Sequence, residues 1–238
     1  MTEVEWLETA NVARLRSHLG HALSKRKCLL IICTYAQRIW QWIPCEPVRE
    51  LVTQLEIRAD VTPLLPLEYE DFDRLHREWL HGFQLNTPLY GINYLLLWSL
   101  HFTSARGSLG GSTLTGLPMI VAQLANPGAV LLLNRLSEST PSAVATYHEQ
   151  CSVLRSIILD AFGNPFRPVA FNPAWRTDTA VALARTMYDS REFGAMPILA
   201  DALQDAGCED EQVLNHCRAA NQVHVRGCWV CDLVLSLG

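Results

Sequence analysis

Apolar residues recur along the first part of the chain at three- and four-residue steps. Leu29, Ile32, Cys33, Ala36, Ile39, Trp40 and Ile43 follow that spacing, which puts them on one stripe of an amphipathic helix. Ser24 stands where its N-cap belongs. Upstream, Thr2 and Glu5 have capping-box spacing ahead of Trp6 and Leu7, and predict a first helix from Glu3 to His21. Pro44 and Pro47 end the second helix and open a third, VRELVTQLEIRA, because proline suits a first helical turn and not an interior. Beyond Pro63 and Pro66, EYEDFDRLHREWLHGF sets Phe72, Leu75, Trp79 and Phe83 inward under a charged surface. A further helix follows Pro88. Its apolar run from Tyr90 to Phe102 goes nearly all round, as suits the centre of a bundle.

The pattern then breaks. Ser104 to Pro118 is rich in glycine, serine and threonine and reads as a loop; it lacks the lysine of a phosphate-binding loop. MIVAQLA and AVLLLNRL flank the turn Asn126-Pro127-Gly128 and fit either two short helices, the reading adopted, or a hairpin of strands. Thr140-Pro141 opens a longer helix that Gly163 stops. FGNPFRPVAFNPAWRT, with three prolines and four aromatic rings, cannot be regular and must cross the surface pinned by its rings. Thr177 caps DTAVALARTMYDSREF, Pro197 begins ILADALQDAG, Asp210 caps EQVLNHCRA, and the last helix starts near His224. The reading is one all-α domain over residues 1–238, a multi-helix bundle. Its two lobes would be 1–103 and 119–238, joined by 104–118.

Composition narrows the function. A net charge of −5 argues against a dedicated nucleic-acid binder. The N-terminus has acidic residues where a secretory leader is basic, and no apolar run is long enough for a bilayer. The expectation is a cytoplasmic protein, outside the membrane, with reduced thiols.

Three blocks carry a resemblance: FGNPFRPV, PILADAL with the following AGC, and the terminal HVRGCW followed by an aspartate. Together with WLETANVARLRSHLGHALSKRKCLLIICTYAQRIW they resemble a family of uncharacterised proteins from planctomycete bacteria. The resemblance covers roughly the first 45 and last 80 residues and implies no activity, so it transfers no catalytic residue. Two departures bear on chemistry. Cys231 stands where the family has an apolar residue. The family's first block is cysteine-rich, whereas this chain keeps only Cys28 and Cys33 there. Both count against a metal site that needs those thiols.

The tail holds the densest set of reactive side chains. Cys208, His216, Cys217, His224, Cys228 and Cys231 could ligate zinc, and Cys228-x-x-Cys231 has a spacing zinc sites use. No second such pair completes a set. The reading adopted is therefore that Cys208, Cys217 and Cys228 are small core residues, with Asp232 on the outer face of the last helix, and no metal or other cofactor. Zinc is the alternative. A ligand- or partner-binding surface is expected at Arg167, Trp175, Arg176, His224, Arg226, Trp229 and Asp232, where arginine forks over aromatic rings would meet a carboxylate or phosphate. No nucleophile elbow or metalloprotease motif occurs. The functional expectation is a non-catalytic interaction module that docks a protein partner or small ligand or joins a larger assembly, with a metal-binding protein or enzyme as the alternative.

Overall fold

The structure, a computed structural model, describes residues 1–22, 24–43, 46–60, 140–220 and 222–237, and Pro118 besides. Every element among these residues is a helix or a 3-10 turn, so the all-α reading holds. The chain divides into two compact units, Met1–Arg155 and Ser156–Gly238. The helices expected over 68–83 and 90–102, the loop 104–118 and the elements of 119–136 lie outside the described residues.

In the first unit, the helix expected from Glu3 to His21 is two helices, α1 (Glu3–Glu8) and α2 (Val12–Leu19). The break is local chemistry. The Asn11 side chain accepts from the Arg14 N–H at 3.1 Å, and the Thr9 hydroxyl accepts from the Asn11 N–H at 3.1 Å. Such short acceptors compete with the helix ladder and start a new helix. The Thr2–Glu5 capping box forms in both directions, and Ser24 caps α3 (Lys25–Arg38). Residues Cys28 to Ala36 of α3 are all buried, with both cysteines serving as small hydrophobes. α3 packs on α4 (Glu46–Arg58). Arg49 donates to the Trp40 and Ile43 carbonyls at 2.8 and 2.6 Å, satisfying backbone acceptors beyond the end of α3.

The long helix α5 (Pro141–Phe162) carries the boundary between the units. It ends as expected at Gly163, whose φ of +64° favours glycine. The second unit continues through the irregular crossing, with a 3-10 turn at Pro173–Trp175, into α6 (Asp178–Ser190), α7 (Met196–Asp205), α8 (Glu211–Arg218) and α9 (Trp229–Leu235). Thr177 caps α6 and Asp210 caps α8. α7 packs against α6 and α8, and α9 packs against α6 and α8. Their shared core includes Tyr188, Leu199, Leu203, Val213, Val230 and Val234. Among the described residues, no helix is long and apolar enough to cross a membrane.

Two expectations about the tail are corrected. The last helix begins at Trp229, not near His224, because Gly227 takes φ +93° and ends the loop in a turn before Cys228 becomes the N-cap. Asp232 is buried, only 5% exposed, rather than on an outer face.

Gly163 has a second role. A Cβ there would lie 3.1 Å from the Trp229 indole. Gly163→Ala combines an unfavourable φ with an overfilled contact and lowers the unfolding free energy by about 1–3 kcal/mol. Thermal denaturation of the variant, with a lowered midpoint as the expected result, checks this.

Candidate metal centre

Four side chains from distant parts of the second unit turn toward one point. Asp160 comes from the last turn of α5, His216 from the last turn of α8, His224 from the loop after it, and Cys228 from the N-cap of α9. One ligand-type atom from each lies within 4.8 Å of all the others. The Asp160 and Cys228 residues are 0% exposed, and the His216 and His224 side chains 7% and 6%.

The local structure explains the convergence. Asp160 follows Leu154 and Ile157 on the buried side of α5, so its carboxylate points inward. Its Oδ2 accepts the Val225 N–H at 2.9 Å, which fastens the 219–228 loop to α5. Its Oδ1 faces His224 Nδ1 at 2.9 Å and His216 Nε2 at 3.3 Å. The Cys228 sulfur lies 3.1 Å from His216 Nε2 and 4.0 Å from His224 Nδ1. On its other side, His216 Nδ1 accepts from the Trp229 indole N–H at 3.1 Å, and the Gln222 amide nitrogen lies 2.8 Å away.

These distances bear on two chemistries. A nucleophile–base–acid relay uses opposite nitrogens of one imidazole, one toward the nucleophile and the other toward the carboxylate. Here the same nitrogen of His216 faces both Cys228 and Asp160, and so does the same nitrogen of His224. A tetrahedral zinc ion with bonds of about 2.0–2.3 Å needs ligand atoms about 3.3–3.7 Å apart. Four of the six separations among the ligand atoms, 2.9 to 4.0 Å, bracket that edge length, and all six are within 4.8 Å.

The electrostatics express the same crowding. Burial alone would raise the Asp160 pKa, but hydrogen bonds from His216 and His224 hold it below its ordinary value. Burial works to lower both histidine pKa values. For His216 the Cys228 sulfur and Asp160 outweigh it and raise the value to about 9; for His224 the hydrogen bonds to Asp160 and Cys228 do the same, also to about 9. The indole N–H against His216 Nδ1 opposes a second proton on that ring, because imidazolium offers no lone pair there. Burial, with Cys231 and Asp160 nearby, pushes the Cys228 thiol well up. His224 Nε2 is buried without a hydrogen-bond partner.

Of the six zinc candidates from the sequence, His216, His224 and Cys228 converge. Cys208, Cys217 and Cys231 are buried in the helical core, and Cys231 donates to the Met196 sulfur at 3.8 Å. The fourth member, Asp160, lies outside the tail and was not among the expected residues. Its one trace in the sequence is an acidic residue at an apolar position, SIILDAF.

Several of the expected binding residues have protein partners of their own. Arg176 donates twice to the Leu233 carbonyl, at 3.1 and 2.9 Å, and sits over the Phe171 ring. Trp175 meets Phe171 edge-on. Arg226 lies over Tyr188 at 4.7 Å. The Arg167 carbonyl accepts from the Gln212 side chain at 3.2 Å, and that residue is otherwise at the surface. Only His224 and Trp229 of that set belong to the cluster.

No family model matches the chain, and no curated protein or solved structure does either.

Proposed function

We propose that residues 156–238 form a non-catalytic module stapled by zinc, with Asp160, His216, His224 and Cys228 as the four ligands. The convergence of four ligand atoms within 4.8 Å of one another supports this reading. One thiolate, two imidazoles and one carboxylate suit zinc or cobalt rather than calcium or magnesium, which prefer all-oxygen shells. Four protein ligands with no open position are the mark of a structural ion rather than a catalytic one. The ion would join α5, α8, the 219–228 loop and the start of α9, so its binding energy becomes folding energy of this unit. The wider role in this reading is docking of a protein partner. The closed centre and the seven tryptophans of the sequence support that role.

Cobalt substitution tests the ligand set. Metal-free protein titrated with cobalt(II) should develop visible bands of a tetrahedral ion and a sulfur-to-cobalt charge-transfer band. Cys228→Ser should remove the charge-transfer band. A pale octahedral spectrum in the natural protein, or an unchanged charge-transfer band in Cys228→Ser, contradicts the assignment.

A further inference from the structure

His216 faces two ways, and its two faces make conflicting demands. The Trp229 indole N–H meets Nδ1 at 3.1 Å. An indole nitrogen only donates, so Nδ1 is an acceptor and the proton of the neutral ring sits on Nε2. A metal takes Nε2 only when that nitrogen is bare. The ring proton must then sit on Nδ1, where a ligating histidine passes it to an outer acceptor. Trp229 cannot receive it. Gln222 can, since its amide nitrogen stands 2.8 Å from Nδ1 and a half-turn of the amide puts its carbonyl oxygen there.

Resting on the zinc reading above, we propose that Gln222 is the positioning residue of the centre and Trp229 its competitor. When the metal arrives, the His216 proton passes from Nε2 to Nδ1, the Gln222 amide turns, and its Oε1 accepts that proton. The Trp229 indole gives up His216. The ring keeps one proton throughout; the proton lost to solvent on metal binding comes from the Cys228 thiol, with another from His224 where that ring is charged.

The two residues therefore affect zinc affinity in opposite directions. Gln222 is exposed, so its variants leave the fold in place. Zinc affinity is measured on the full chain by competition with a chromogenic chelator, alongside indole N–H resonances by NMR. Gln222→Ala should weaken zinc binding about 10–100-fold. Gln222→Glu, which also accepts from Nδ1, should bind at least as tightly as the natural protein. Trp229→Phe should tighten binding about 2–10-fold, because a hydrogen bond no longer has to break. The one indole resonance missing from Trp229→Phe should move upfield when zinc is added to the natural protein. Affinity of Gln222→Ala within about twofold of the natural protein, weaker binding by Trp229→Phe, or an unmoved indole resonance overturns the proposal. Failure of the natural protein to bind zinc overturns the zinc reading itself, and is seen before any variant is measured.

Discussion

Asp160→Ala lowers the unfolding free energy of the metal-free protein by about 3–5 kcal/mol and abolishes zinc binding. The residue is wholly buried, and one carboxylate serves three partners: the Val225 N–H, His224 and His216. Its removal leaves a buried backbone donor unmet and takes the counter-charge from His224. It also frees the 219–228 loop from α5. Asp160→Asn separates charge from shape. The amide still accepts from Val225, but it carries no charge, and its NH2 faces a donor at His224. It should cost less stability than alanine yet still weaken zinc strongly. Denaturant unfolding in the presence of a chelator, paired with zinc titration, reads both effects. Full zinc affinity in Asp160→Asn would remove the carboxylate from the ligand set.

The second large effect is opposite pH dependence with and without metal. In the metal-free protein, the His224 pKa is raised from 6.5 to about 9. Its contribution is present in full below pH 6.5 and is lost as pH rises through about 9, on the order of 2 kcal/mol. Asp160 is shifted the other way, below 3.8. Its contribution is present above that value and lost as pH falls through its native pKa. The metal-free protein is therefore most stable between about pH 4 and 6.5 and weakens toward pH 9. Zinc reverses the upper limb, because the ion displaces protons from Cys228 and the histidines and binds more tightly as they become scarce. Thermal midpoints measured from pH 6 to 9 should fall for the metal-free protein and rise for the protein held with buffered zinc. Parallel curves would show that no proton-linked metal binds at these side chains.

The features legible in the sequence were those set by neighbours along the chain. Thr2, Ser24, Thr177 and Asp210 all cap helices in the structure, because a cap needs only a short acceptor and the next three residues. Gly163 stops α5 for a similarly local reason. The start of α9 was misplaced because the valines flanking His224 look continuous with the helix. The glycine at 227 was the stop signal, and its positive φ lets the loop turn back. That turn also carries His224 off the helix and into the cluster. Asp160 stayed hidden because it lies 64 residues before His224, and no local pattern says which tail residue meets an acidic group in a long helix. Arg176 shows the converse. A residue suited to a charged ligand turns its fork to the part-buried Leu233 carbonyl, a backbone demand that only the fold reveals.

The most direct measurement is the metal content of the natural protein. The 238-residue chain, purified without chelator and dialysed against trace zinc, should retain about one zinc ion per chain by elemental analysis and unfold at a lower denaturant concentration when the ion is stripped. Less than about 0.2 zinc per chain, with unfolding unchanged by chelator, would mean that Asp160, His216, His224 and Cys228 hold one another by hydrogen bonds alone.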